Sequence, residues 1–115
     1  MKQESEGKRV RIYVDASDQW QGKNLYTAIV KRCHEEGIAN AVAWRGIEGY
    51  GANMEIHGPD VFSLKSNLPV MIEIVDDAEK IEKLLPILDA MISEGLMTAS
   101  DVHTVKYSKA TSNQR

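Results

Sequence analysis

The chain is poor in thiols. Cys33 is the only cysteine among 115 residues, so neither an internal disulfide nor a paired-thiol zinc motif is available. A reducing, cytoplasmic setting is the simplest expectation. No apolar run approaches the ~20 residues that a membrane helix needs. The opening MKQESEGK lacks the apolar stretch of a secretory signal. A basic excess is missing too: 14 Lys and Arg stand against 17 Asp and Glu, a formal net charge of −3. That speaks against a general nucleic-acid surface, which depends on neutralising phosphates. Aromatics are scarce, at 6%. The run RIYVDA has the look of an RNA-binding strand, but such a sheet needs aromatic platforms on a second strand, and VMIEIV has none.

Catalytic and cofactor signatures are equally thin. There is no phosphate-loop Gly-Lys-Ser/Thr, no dinucleotide glycine fingerprint opening a helix, no nucleophile elbow and no kinase motif set. His34, His57 and His103 fall on a helix, a loop and a strand without metal-ligand spacing, so no metal site is expected. Cys33 and His34 are neighbours on a helix and point apart, so they cannot act as nucleophile and base.

What the chain does have is 43% hydrophobic residues, enough for one core at this length. A single domain over residues 1–115 is expected, with an ordered core from about 8 to 108, a flexible loop over 52–67 and frayed termini. RVRIYVDA alternates with period two and predicts a strand; SDQWQGK predicts a loop. In NLYTAIVKRCHEEG, Leu25, Ile29 and Cys33 fall on one helical face with Tyr26 and Val30 beside them. Asn24 is placed to cap its start and Gly37 to stop it. AVAWRGI is a second strand. LPVMIEIVDD is a third, apolar on both faces and therefore central. Asp76 or Asp77 is placed to cap AEKIEKLLPILDAMISEG, whose apolar stripe continues past Pro86, so a kink rather than a break is expected. Gly95 ends it, and DVHTVKY is the last strand.

The order strand, helix, strand, strand, helix, strand is the ferredoxin-like β-α-β-β-α-β arrangement. Right-handed crossovers put both helices on one face of a four-stranded antiparallel sheet, giving an α+β fold. The other face stays bare, carrying Tyr13, Met71, Val75 and either Val105 or Trp44. A bare apolar face implies a partner, here further copies of the chain.

The stretch WRGIEGYGANMEIHG, residues 44–58, holds four of the eight glycines. Gly46, Gly49 and Gly51 let backbone N–H groups approach a ligand closely, and Arg45 can supply a charge-assisted bond to a phosphate. A bulged connector is the plainer account of the same glycines. Glu73, inside an apolar strand, needs a partner, for which Lys23, Arg45 or Lys106 qualify. A small nucleotide or acyl-phosphate hydrolase using Glu73 or His103 is one alternative function; an oligomeric scaffold with a vestigial site is another.

EGYG closing the second strand, a long loop, then LPVMIEIVDD, a helix, EG and a last strand resemble the PII signalling proteins. A closer resemblance is to the PII-like family of domains of unknown function numbered one-ninety, over roughly Val10 to Tyr107. The resemblance implies a homotrimer with sheets turned inward and no catalytic residues. It implies adenine-nucleotide binding in the clefts between subunits, and a loop that docks on a membrane transporter, a channel or an enzyme. By position, Gly49, Tyr50 and Gly51 match the loop base against the nucleotide, Glu73 and Val75 match the adenine pocket, and Gly95 and Thr98 match the phosphate-holding turn after the second helix. EGLMTASDVHTV lacks the second glycine and the lysine found there in PII proteins. AMP, ADP or a cyclic nucleotide is therefore expected rather than a triphosphate, with Arg45 taking over part of the charge. No other cofactor is required.

Overall fold

The computed structural model of the chain describes residues 1–50 and 68–109. Its elements are β1 (Lys2–Asp15), β2 (Gln19–Trp20), β3 (Lys23–Asn24), α1 (Leu25–Glu35), β4 (Asn40–Arg45), β5 (Pro69–Asp77), α2 (Ala78–Met91) and β6 (Leu96–Tyr107). The four long strands form one antiparallel sheet in the order β4-β5-β1-β6. This is the expected ferredoxin-like topology. Gly51 and the expected loop 52–67 lie outside the described residues.

Strand lengths differ from expectation at both ends of the chain. β1 begins at Lys2, ahead of the ordered core expected from residue 8, and β6 begins at Leu96, ahead of Asp101. The two pair without interruption from Lys2 opposite Tyr107 to Tyr13 opposite Leu96. Met1 and Ser108 bond to one another beyond them. The polar N-terminus is thus ordered by the ladder it shares with β6, not by apolar burial, which is why composition did not show it. The predicted loop at SDQWQGK contains the small β2–β3 hairpin, turning through Gln21 and Gly22, both at positive φ.

The helices follow from their stripes. Leu25, Ala28, Ile29 and Cys33 are buried on α1, and Ile81, Leu84, Leu88 and Met91 on α2. They meet Val10, Ile12, Val14, Val70, Ile72 and Ile74 from one face of the sheet. α1 ends as predicted at Gly37, whose φ of 75° suits glycine. Gly37 N–H donates to the His34 carbonyl and Ile38 N–H to that of Cys33, closing a Schellman motif. α2 continues through Pro86. Asn24 and Asp77 occupy the N-cap positions without a side-chain capping bond; the carboxylates at α2 are engaged elsewhere. Gly95 lies beyond the end of α2, in the turn into β6.

Residues paired across the ladders share a face, which orders the open side into rows. Trp44, Met71, Tyr13 and Leu96 line up across all four strands. Next come Val42, Glu73, Arg11 and Thr98, then Asn40, Val75, Arg9 and Ser100. Trp44 is 56% exposed and Leu96 61%, so the first row is an uncovered apolar band. Trp44 therefore belongs to this face as expected. Val105 does not: it stands opposite Glu4, in phase with Ile12 on the other side.

Candidate functional site

Two clefts gather the predicted ligand residues, at different places on the sheet. The first, about 310 Å³, is lined by Trp44, Arg45, Gly46, Gly49, Tyr50, Tyr13, Pro69 and Met71, among others. β4 ends here because the backbone folds against Pro69. Gly46 N–H donates to the Pro69 carbonyl at 2.7 Å. A Cβ on Gly46 would lie 2.9 Å from the Pro69 ring, so the close approach requires glycine. Gly49, at φ +153°, holds a conformation that other residues avoid.

A small adjoining hollow shares Tyr13, Tyr50 and Pro69 with this cleft and adds Glu94 and Gly95. Gly95 packs on β1: a Cβ there would come within 2.7 Å of the Tyr13 carbonyl oxygen. Gly46, Gly49, Tyr50 and Gly95 are thus brought to one locality. Arg45 is turned toward α1, where its Nη2 donates to the Tyr26 hydroxyl at 3.1 Å and its guanidinium lies 5.9 Å from the ring centre.

The second cleft, about 890 Å³, is lined by Glu73 and Val75 together with Arg9, Asn40, Asp76, His103, Lys106 and Tyr107, among others. None of Arg45, Gly46, Gly49, Tyr50 and Gly95 lines it. Thr98 lines neither cleft; it lies inside β6, opposite Arg11.

The second cleft is built around a buried carboxylate. Asp76 Oδ2 accepts from Ala39 N–H at 2.8 Å, and Oδ1 accepts from Asp77 N–H at 2.6 Å and from Lys106 Nζ at 2.8 Å. Burial by itself would raise the Asp76 pKa. The Lys106 ammonium and the two backbone N–H groups outweigh it and hold the carboxyl below its ordinary value. Asp77 is lowered by the Ser5 hydroxyl and by Lys106, and Lys106 is raised by its bond to Asp76. This network of Asp76, Asp77, Lys106, Ser5 and Thr104 ties the far end of the β1–β6 ribbon to the start of α2. Local sequence reading missed it. Both acids fit the start of a helix equally well, and Lys106 is distant in sequence.

Glu73 finds a different partner from the three expected. Arg11, directly across the ladder, places Nη2 at 3.8 Å from Glu73 Oε2. The signal was present in the alternation of RVRIYV, which sets the arginines on the same face as Glu73 once β1 and β5 pair in this register. His103 is held by Glu4 at 2.8 Å, and this bond first of all raises its pKa. Cys33 is buried, which pushes its thiol up to about 11. Among the described residues, no group of three or more His, Cys, Asp or Glu side chains is arranged to hold a metal ion. Also among them, no helix is long and apolar enough to cross a membrane.

Residues 7–104 match the DUF190 family, described as "Uncharacterized ACR". A UPF0166 protein of Aquifex aeolicus is 36% identical over 98 residues, spanning 85% of this chain and 92% of that protein. A UPF0166 protein of Methanocaldococcus jannaschii is 39% identical over 100 residues, spanning 86% and 92%. Among solved structures, a PII-like protein of Thermus thermophilus superposes with a TM-score of 0.59 at 13% identity, over 90% of this chain and 91% of that one. CPII of Thiomonas intermedia, a nitrogen regulatory PII-like protein bound to ADP, AMP and bicarbonate, gives 0.55 at 15% identity, over 89% and 91%. At that identity the likeness speaks for the fold. The matched span shows that the chain belongs to the DUF190 family, and its fold is that of the PII-like proteins.

Proposed function

We propose that the protein is a non-enzymatic PII-like regulator. It assembles as a homotrimer with its open sheet faces turned inward, and binds AMP or ADP where two subunits meet. The segment from Gly51 to Asn67 then presents the signal to a transporter, a channel or an enzyme. The observation that carries this reading is the division of the ligand residues. Gly46, Gly49, Tyr50 and Gly95 lie together, while Glu73 and Val75 line a separate cleft. Two half-sites on one chain become a whole site when neighbouring copies are placed side by side.

The exposed row of Trp44, Met71, Tyr13 and Leu96 supports the assembly, since such a band is costly to leave in water. The binding of ADP and AMP by CPII, which shares the fold, supports the ligand class. A ligand passes on a signal only so far as it binds one state of the protein better than another.

Sedimentation and titration calorimetry test this. The expected result is a trimer with saturable AMP or ADP binding and no product formed. A monomer at micromolar concentration, or turnover of the nucleotide, would overturn it.

A further inference from the structure

The middle rows of the open face carry more positive charge than they can balance. Arg9 and Arg11 lie two residues apart on β1, both on this face, with Glu73 the carboxylate beside them. The Asp76 and Asp77 carboxylates are already engaged with Lys106 and are not free to balance the arginines. Across the other ladder, the hydroxyls of Thr98 and Ser100 stand directly opposite Arg11 and Arg9.

Arg11 also holds a donor without an acceptor. Its Nε is shielded from solvent and bonded to nothing, the one buried side-chain polar atom so placed among the described residues. Glu73 sits at 3.8 Å from Nη2, too far for a good hydrogen bond. Buried donors are normally satisfied, and a guanidinium offers its donors as a planar fork suited to an oxyanion.

We propose that Arg9 and Arg11, with the hydroxyls of Thr98 and Ser100, form a small-oxyanion site on the open sheet face, beside the second cleft, which Arg9 also lines, and away from the cleft of Gly46 and Gly49. The proposal rests on the inward packing of subunits proposed above. Turning several copies of this face together multiplies the excess of guanidinium over carboxylate and removes water from it. Like charges brought together in a desolvated interior are strongly unfavourable. An oxyanion between them removes that penalty and gives Arg11 Nε its acceptor. Inorganic phosphate, sulfate and carboxylate share the required chemistry.

The test uses the full chain dialysed into chloride, with sedimentation to establish its assembly. Phosphate, sulfate or acetate is then added at constant ionic strength while the thermal midpoint is followed. At about 100 times the dissociation constant, linkage predicts a rise of several degrees over the chloride control. The arm that produces it identifies the anion. Arg11→Gln should abolish the rise with sedimentation unchanged. Should that variant fail to fold, Thr98→Val, which leaves the charge intact, should weaken anion affinity several-fold.

Gly49→Val should lose nucleotide binding and keep the anion effect, so the two sites fail separately. A trimer whose midpoint is the same in all four anions overturns the proposal, as does an unchanged rise in Arg11→Gln or Thr98→Val. A chain that sediments as a monomer overturns both the assembly and this site.

Discussion

Lys106 Nζ lies 2.8 Å from Asp76 Oδ1, joining the last strand to the junction of β5 and α2 across thirty positions of sequence. The carboxylate is buried while the ammonium is partly in solvent. Removing the lysine therefore leaves a charge inside the protein with two backbone donors and only the more distant Lys80 ammonium, 3.9 Å from Oδ2. Lys106→Met should lower stability by about 1–3 kcal/mol, less than for a fully buried pair because water reaches the lysine. The midpoint of urea unfolding measures it.

The same carboxylate sets an acid limit. Asp76 is held below its ordinary value of 3.8 in the folded protein. Its contribution is therefore complete above that unfolded value and is lost as pH falls through the folded one. Stability should decline below about pH 4. In Asp76→Asn the decline should be shallower, from a lower starting point at neutral pH. Unfolding midpoints taken across the range from neutral to strongly acidic pH decide this.

Gly95→Ala should be destabilising by roughly 1–3 kcal/mol, because φ +151° is unfavourable for alanine and its Cβ would press on the Tyr13 carbonyl. If Gly95 forms part of the nucleotide half-site, ADP affinity should fall as well, by about tenfold or 1.4 kcal/mol. Thermal unfolding and calorimetry separate the two effects.

The proposed arrangement of half-sites on neighbouring subunits predicts complementation. Gly49→Val and Val75→Asp should each abolish ADP binding in a homotrimer. Subunits of the two kinds, mixed and reassembled, should regain one intact site per mixed trimer. Calorimetric stoichiometry that stays at zero after mixing would place both residues on the same half.

Trp44→Asp should disrupt the assembly while sparing the fold, because the indole is exposed on the single chain and stands outside the core cluster. A smaller sedimenting species with unchanged circular dichroism is expected. Cys33 gives a simple check on the core. Burial pushes its thiol up to about 11, so it should resist alkylation at mildly alkaline pH until the protein is unfolded.

The topology was legible in short stretches of the chain. Period two in RVRIYVDA and LPVMIEIVDD, the Leu25–Ile29–Cys33 stripe and the stop at Gly37 are local patterns, and local backbone geometry imposes them. The glycines of the second strand could likewise be read as a place of close approach, though what they approach, Pro69, could not. The remainder came from how the strands meet in space. That meeting ordered the polar first residues by pairing them with β6, gave Glu73 to Arg11 rather than to Lys23, Arg45 or Lys106, and made Asp76 the anchor of a network instead of a helix cap. Those outcomes depend on register. Pairing is satisfied by whichever backbone arrives, and a charge takes whichever partner the ladder sets beside it; neither is encoded within reach of a single segment.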